Sequence, residues 1–242
     1  MIQVNIRVYR ADKHPDQCLR YVEGHRKVLE AYGVTQVTSA NIDWMHEPFS
    51  YIISVESAED HRPLGGARIQ LCSGTVPLPI ETAINDLDTN IYKIVREKGL
   101  HRTGEFCGAW NSREVAGYGI GSIILGRTCM AVIDKLNMGS LFAFASPASL
   151  RNCQRVGFRV LRSLGVNGIF YYPKEDLVAT ALIIDDPVEV AGATEENREK
   201  IRAFRENPIQ QRLERGPKGE IEVSYDLHID SDDIIKSPVE LP

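Results

Sequence analysis

Residues 104–136 read GEFCGAWNSREVAGYGIGSIILGRTCMAVIDKL. The pattern predicts a strand, a short loop with glycines at positions 117, 119 and 121, and then a long apolar helix. The first N–H groups of such a helix have no intrahelical acceptor and lie at the positive end of the helix dipole. A phosphate binds well there, and glycine lets it approach because no Cβ is in the way. The stretch therefore predicts a backbone cradle for an anion, with a ligand-free tight turn as the alternative.

Two common phosphate-binding patterns do not match this loop. The dinucleotide fingerprint GxGxxG fails from Gly117 because position 122 is Ser, and it fails from Gly119 because position 124 is Ile. Residues 121–128, GSIILGRT, approach the P-loop pattern GxxxxGK[ST], but Arg127 replaces the lysine and bulky aliphatic residues precede it. Neither a Rossmann site nor a nucleoside triphosphatase is favoured.

The composition is that of an ordinary globular protein, with 242 residues of which 43% are hydrophobic and 25% charged. The formal charge is -5 and no basic run is interleaved with aromatic residues, so we expect no nucleic-acid partner. The start lacks the pattern of a secretory signal and no stretch has the apolar length of a membrane span, so we expect no membrane partner. The 5 cysteines are dispersed without a CxxC pair, which predicts a reduced, cytoplasmic protein without disulfides or a bound metal.

Upstream of the loop, the spacing of apolar residues predicts both strands and helices. Alternation predicts strands over residues 2–9, 49–55 and 64–71, of which the last two form a hairpin. Spacings of three and four predict amphipathic helices over residues 18–29 and 77–98. Residues 34–45 show no clear period, and we expect a loop or a short helix there.

Downstream of the loop, an apolar run over residues 141–145 predicts a central buried strand, and Ser149 predicts the N-cap of a short helix over residues 150–156. Further strands are predicted over residues 158–164, 169–172 and 177–184, a charged helix over 195–207, and a strand that adds to a sheet edge over 220–229. The acidic end is expected to be mobile. We divide the chain into a main domain, residues 1–187, and a C-terminal extension of helix, strand and flexible tail, residues 188–242.

Residues 116–121, AGYGIG, resemble motif A of the GNAT superfamily of N-acetyltransferases, [Q/R]xxGx[G/A], whose loop amides hold the pyrophosphate of coenzyme A. Gly119 and Gly121 match the two small positions. Ala116 stands in place of the Gln or Arg, and Arg113 lies three residues earlier as a candidate substitute.

The resemblance extends over roughly residues 2–186. Residues 152–158, NCQRVGF, occupy the place of the superfamily segment LYxKxGF, and residues 65–69 and 104–107 resemble its third and fourth strands. Residues 77–98 are similar to an insertion of the long-chain acyltransferase branch, which includes acyl-homoserine-lactone synthases and N-acyl amino acid synthases. The implied fold is α/β, a mixed twisted sheet of GNAT type with helices on both faces.

The resemblance implies an enzyme that moves an acetyl or other acyl group from acyl-CoA to a primary amine by direct attack. Glu105 is the implied general base, with a solvated or salt-bridged carboxylate as the alternative. A backbone N–H within residues 108–110, where the strand is expected to bulge, is the implied oxyanion donor. Cys153 stands where the family commonly has the Tyr that protonates the leaving thiolate, so it is the candidate acid. Substitutes for this acid are Tyr118, Tyr171 and Tyr172.

The cofactor-binding residues implied by the resemblance are Trp110, Gly117, Tyr118, Gly119, Ile120, Gly121 and Ser122. Trp110 and Phe106 are also candidates for the border of the acyl pocket, and Arg113 and Arg127 are candidates for phosphate contacts. Two alternatives stay open beside the acetyl-CoA enzyme: a long-chain N-acyltransferase that uses acyl carrier protein, and a catalytically silent acyl-CoA-binding module. The last strand pairs either within the chain or across a homodimer.

Overall fold

The strands form one ten-stranded mixed sheet. The computed structural model describes residues 1–34, 41–100 and 102–235, apart from the side chain of Ser122. The strands are β1 (Gln3–Arg10), β2 (Ser50–Ser57), β3 (Pro63–Leu71), β4 (Thr103–Asn111), β5 (Ser140–Ala145), β6 (Arg159–Val160), β7 (Ile169–Tyr171), β8 (Val178–Ile184), β9 (Ile209–Gly216) and β10 (Gly219–Asp226). The helices are α1 (Pro15–Ala31), α2 (Pro79–Ile84), α3 (Asn90–Lys98), α4 (Leu125–Ile133), α5 (Pro147–Arg155) and α6 (Glu195–Glu206).

The strand order is β6-β8-β5-β4-β3-β2-β1-β10-β9, and β7 pairs with β8. Neighbouring strands are antiparallel except for the pairs β4–β5 and β1–β10, which are parallel. The β4–β5 register runs from Thr103 opposite Ser140 to Phe106 opposite Ala143. Beyond these residues both strands continue without pairing to each other, so a gap separates their carboxyl ends.

Helices cover both faces of the sheet, as the sequence predicts. On one face, which we call the α4 face, α4 and α6 pack on alternate strand residues such as Ile6, Ile53 and Leu141. On the other, the α1 face, α1, α2 and α3 pack on the intervening residues, such as Ile52 and Phe142. The period of two in the strands therefore assigns each side chain to one face. No helix in the described part of the chain has the length and apolar character to cross a membrane.

The helix predicted over residues 77–98 is wrong in one respect, because the structure breaks it into α2 and α3. Asp88 causes the break: its Oδ1 accepts the backbone N–H of Asn90 at 3.1 Å, and its Oδ2 accepts that of Gly165 at 2.8 Å. A short polar side chain that binds backbone N–H groups competes with a continuing helix. Leu87, which shares the helical spacing, is turned outward and is exposed.

Two predictions after the loop are also corrected. Helix α5 begins at Pro147, not at residue 150, because Ser146 precedes a proline at the first helical position. Cys153 therefore lies in its last turn. The strand predicted over residues 158–164 is reduced to β6, the pair Arg159–Val160.

The C-terminal extension belongs to the same sheet. Strand β10 adds to the sheet beside β1, as predicted, and β9, which the sequence analysis does not predict, pairs with its other side and forms the edge. Both sides of β10 are paired within the chain. Helix α6 packs against α4 in the core of the α4 face. The end of the expected mobile tail, residues 236–242 of 230–242, and part of the loop expected over residues 34–45 lie outside the described residues.

Candidate active site

The glycine loop joins the end of β4 to a π-helical turn, Ile120–Ile124, that continues into α4. Gly117 and Gly119 have φ angles of 89° and 91°, in the left-handed region that favours glycine. The Ile124 N–H donates to the Gly119 carbonyl at 3.1 Å, which is the i to i−5 pattern of a π-helix. Single π-turns within α-helices occur often at functional sites.

Neighbouring side chains crowd two of the three glycines in this loop, Gly117 and Gly121. A Cβ added to Gly121 would lie 1.8 Å from Oδ1 of Asn111, and one added to Gly117 would lie 2.7 Å from Cγ of Lys218. Geometry also leaves the N–H groups of the first helical turn without intrahelical acceptors. The loop therefore exposes backbone donors at close range, as an anion cradle requires.

The other residues of the predicted cofactor set occupy different environments. The side chain of Ile120 is buried in the core of the α4 face, so only its backbone faces the loop. Tyr118 is half-buried, and a Cβ on Gly216 would lie 2.4 Å from its carbonyl carbon. The indole of Trp110 lies beneath α1 on the opposite face of the sheet, and its buried Nε1 has no hydrogen-bond partner. For Ser122, the side chain lies outside the described part.

The proposed phosphate contact of Arg127 is wrong. Its Nη1 lies 3.1 Å from Oε2 of Glu214 in β9, and each side chain is 3% exposed. Tyr225 of β10 donates its hydroxyl to Oε1 of the same carboxylate at 3.1 Å. Arg127 therefore links α4 to the C-terminal hairpin. Arg113, in contrast, is exposed on the glycine loop.

The predicted bulge in β4 is confirmed. Arg68 of β3 pairs with Cys107 and Gly66 pairs with Trp110, so two residues of β4 lie opposite Ala67. Gly108 has a φ angle of 57° at this point. The bulge lies just beyond the last residue of β4 that pairs with β5, so it borders the gap between these strands.

Glu105 lies on the α1 face of β4 and is only 2% exposed. Its Oε2 accepts the backbone N–H of Ile80, at the start of α2, at 2.7 Å. Burial raises the pKa of Glu105 to about 8; the Ile80 N–H and the charge of Arg68 oppose this shift, and the nearby Glu81 adds to it. In the described part of the chain Glu105 forms no salt bridge. It is therefore neither solvated nor ion-paired, and it ionises near neutral pH.

Arg68 on β3 is a buried cation that sequence reasoning did not single out. It is 1% exposed, and its guanidinium carbon lies 4.5 Å from the centroid of the Trp44 ring. Its Nε has no hydrogen-bond partner, and no carboxylate of the described residues forms an ion pair with it. The only signal in the sequence is a lone Arg within the apolar strand GGARIQL. A buried cation without an ionised partner is costly, which marks it as a candidate anion-binding group.

Cys153 is half-buried in the last turn of α5 and packs against the core of the α4 face. Burial raises the pKa of its thiol to about 11. Cys18, Cys72, Cys107 and Cys129 are buried free thiols. Among the substitutes considered for the acid, Tyr171 is exposed. Within the described ranges, no cluster of His, Cys, Asp and Glu side chains could hold a metal ion.

No protein-family model matches the sequence, and no curated protein sequence matches it. Solved structures match its fold. FeeM, an N-acyl amino acid synthase from uncultured soil microbes, matches with a TM-score of 0.59 and 14% identity, over 82% of this chain and 99% of its own. TofI, solved with an inhibitor and MTA, matches with a TM-score of 0.52 and 11% identity, over 80% and 99%. A protein from Lactobacillus plantarum assigned as an N-acetyltransferase matches with a TM-score of 0.50 and 11% identity, over 75% and 97%.

Proposed function

Because the chain has the fold of the GNAT acyl-CoA N-acyltransferases, we propose that it transfers an acyl group from acyl-coenzyme A to an amine. The glycine loop carries this proposal. It lies at the N-terminus of a π-turn and helix, directly after a bulged strand that diverges from its parallel neighbour. Fold alone does not decide an activity, so the residues of the site have to supply each chemical requirement.

The loop suits the pyrophosphate of coenzyme A. Backbone N–H groups of the first helical turn, from Ile120 onward, would hold it, and glycine is the residue that fits beside Lys218 at position 117 and beside Asn111 at position 121. The gap between β4 and β5 would take the thioester arm. Bound acyl-CoA supplies the activated acyl group; the protein binds it, orients it and moves protons.

Glu105 is the proposed base. An ammonium acceptor gives one proton to the Glu105 carboxylate, directly or through a water, and becomes a neutral amine. The amine nitrogen attacks the thioester carbonyl carbon, the C–N bond forms and the C–S bond breaks. The second proton of the nitrogen ends on the leaving sulfur. A pKa of about 8 suits this base, because the ionised carboxylate is then basic enough to take a proton from an ammonium group and is present near neutral pH.

Cys153 is the proposed proton donor to the leaving sulfur, but its environment makes it a weak one. A thiol with a pKa of about 11 is protonated at neutral pH, so it has a proton to give. A free thiol has an ordinary pKa of about 8.5, so this transfer is uphill. The thiolate of coenzyme A also leaves readily without help at such a pKa. The contribution of Cys153 to the rate is therefore small.

The acceptor is proposed to be an amine that also carries a carboxylate, as an α-amino acid does. Arg68 favours this class because its buried guanidinium has no ionised partner among the described residues. It lies on the same face as Glu105 and close enough for its charge to influence the pKa of Glu105. A carboxylate bound by Arg68 would hold the amine near the base. The similarity in fold to an N-acyl amino acid synthase agrees with this choice.

A long-chain donor, delivered by coenzyme A or by acyl carrier protein, is the second candidate. Helices α2 and α3 bury an apolar cluster, including Leu78, Ile80 and Phe142, next to Glu105. Such a cluster is the environment that an acyl chain needs. Turnover with acetyl-CoA that equals or exceeds turnover with dodecanoyl-CoA or a dodecanoyl carrier protein would exclude this candidate.

The central proposal is tested by thiol release. The protein is mixed with acetyl-, octanoyl- or dodecanoyl-CoA and with each of a panel of amines and amino acids, and free coenzyme A is measured. We expect amine-dependent release, fastest with an α-amino acid. The comparison is the same acid with its carboxylate amidated, which removes the anion, with both acceptors tested at equal concentrations of the neutral amine. Thermal stabilisation by coenzyme A without thiol release across the panel would instead identify a catalytically silent acyl-CoA-binding module.

A further inference from the structure

Tyr21 of α1 is bound to the bulge in β4. Its hydroxyl donates to the carbonyl of Gly108 at 2.7 Å, and its side chain is buried. The ring is held between two glycines of neighbouring strands. A Cβ on Gly66 would lie 2.9 Å from its Cδ2, and a Cβ on Gly108 would lie 2.2 Å from its Oη. The position of this hydroxyl is therefore fixed from both sides.

The next turn of α1 contacts Trp110, on the other side of the bulge. A Cβ on Gly24 would lie 2.2 Å from Cη2 of Trp110, so the indole fits against the helix only because position 24 is glycine. Residues three apart on a helix share one face, which places Tyr21 and Gly24 side by side. Helix α1 thus contacts β4 immediately before and immediately after Ala109. Of the bulge residues, Ala109 itself is exposed.

The bond from Tyr21 orients one peptide unit. A trans peptide is planar and its C=O and N–H groups point in opposite directions. The Gly108 carbonyl points towards α1, so the N–H of Ala109, in the same peptide unit, points away from α1. Ala109 lies beyond the paired part of β4 and β5, next to the gap between the two strands. Its N–H therefore faces away from α1 beside that gap.

From this geometry we infer that Tyr21 is a positioning residue for acyl transfer: it holds the peptide unit of Gly108 and Ala109 so that the Ala109 N–H donates to the thioester carbonyl oxygen. The inference rests on the proposed function. As negative charge develops on that oxygen, a preoriented N–H stabilises it without reorganisation. Tyr21 touches neither substrate, and it acts only through the backbone. The hydroxyl stays protonated at working pH because burial raises its pKa far above the usual range.

Tyr21→Phe tests the inference because it removes one oxygen atom. The matched control is Tyr51→Phe on the α4 face, since the Tyr51 hydroxyl is also buried and also donates to a backbone carbonyl, that of Asp233, at 2.6 Å. Both variants lose one hydrogen bond, and we expect each to lower the Tm by about 2–4 °C. We expect kcat to fall by about tenfold to a hundredfold in Tyr21→Phe only, with KM for acyl-CoA unchanged.

The experiment distinguishes failure of the positioning role of Tyr21 from failure of the proposed function. Equal kcat values for Tyr21→Phe and Tyr51→Phe, with an active wild type, would overturn the positioning role and leave the proposed function standing. A higher KM at constant kcat would also overturn it, because that pattern belongs to uniform binding. A wild type that releases no thiol with any amine would overturn the proposed function and this inference together.

A double-mutant cycle gives a second measurement. In the wild type, Gly108→Ala places a methyl group against Oη of Tyr21, whereas Tyr21→Phe removes that atom. If the two residues act through this contact, Gly108→Ala reduces kcat less in the Tyr21→Phe background than in the wild type. Additive losses in kcat would contradict the inference.

Discussion

On the α4 face of the sheet, the buried guanidinium of Arg127 lies 3.1 Å from the carboxylate of Glu214. On the α1 face, the buried guanidinium of Arg68 has no ion-pair partner among the described residues, and burial raises the pKa of Glu105 beside it to about 8. The first arrangement compensates its charge and the second does not. Uncompensated buried groups are costly for stability and are typical of sites that bind or react. We infer that the buried charges of the α4 face stabilise the fold and that those of the α1 face take part in binding and catalysis.

The largest expected effect breaks the compensated pair. Arg127→Met leaves Glu214 buried with only the Tyr225 hydroxyl, and we expect a loss of about 3–5 kcal/mol in the free energy of unfolding, measured by urea denaturation. The control is Arg155→Met, which removes the same group from an exposed pair with Glu196 and should cost less than about 1 kcal/mol. Similar losses in both variants would show that burial does not set the value of the α4-face pair.

Glu105→Gln tests the chemistry of the α1 face. We expect kcat to fall about a hundredfold, equivalent to about 2.7 kcal/mol, because Gln cannot accept the ammonium proton. In the wild type, kcat/KM should rise about tenfold per pH unit below pH 8 and level off above it, as the carboxyl group ionises. The variant should lose the inflection near pH 8. Unchanged turnover at neutral pH would exclude Glu105 as the base.

Glu105→Gln also tests how the free energy of unfolding depends on pH. The pKa of Glu105 is raised in the folded protein, so the folded state binds more protons than the unfolded state between about pH 4.5 and pH 8. The contribution of this group to stability is therefore complete at low pH and is lost as pH rises through that window. Glu105→Gln should flatten this part of the stability profile, and Glu196→Gln at the surface should not. A profile of the same slope in both variants would contradict the buried, neutral state of Glu105.

Arg68→Met makes on the α1 face the same substitution that Arg127→Met makes on the α4 face. Because Arg68 has no ionised partner to leave behind, its loss should change the free energy of unfolding by no more than about 1–2 kcal/mol, chiefly through the contact with Trp44. KM for an α-amino acid should rise about tenfold, and KM for the amidated acid should stay constant. A loss of stability as large as that of Arg127→Met would show that Arg68 is structural.

The sequence predicts the features of the site that are local in the chain. The glycines at 117, 119 and 121 and the helix after them depend on residues close to one another, and local patterns report such residues well. The bulge near Gly108 is expected from the family resemblance, not from a local pattern. The environments of Glu105 and Arg68 depend on α2 and on Trp44, which reach them only in the folded chain. No single stretch of sequence shows that the carboxyl group of Glu105 is buried away from water.

Strand β9 shows a second reason for failure. Its residues, IQQRLERG, lack the apolar alternation of a strand, because the inward side of β9 carries Gln210, Arg212 and Glu214. Glu214 is buried only because Arg127 meets it from α4, far away in the sequence. When charged residues occupy the inward-facing positions of a strand, the alternation of apolar and polar residues no longer identifies the strand in the sequence. The partner that makes the charge tolerable is visible only in three dimensions.

The smallest expected effect on kcat is that of a substitution at Cys153, on the α4 face. Although it stands where the resemblance implies the catalytic acid, its thiol packs on the α4 face, and burial raises its pKa to about 11. We expect Cys153→Ala to change kcat less than about threefold, because a donor of that pKa gives little help to a thiolate that is itself stable near neutral pH. Cys129→Ala, a buried thiol on the same face, is the matched control for packing. A fall in kcat of a hundredfold in Cys153→Ala alone would place a catalytic group on the α4 face and end the division of labour between the two faces.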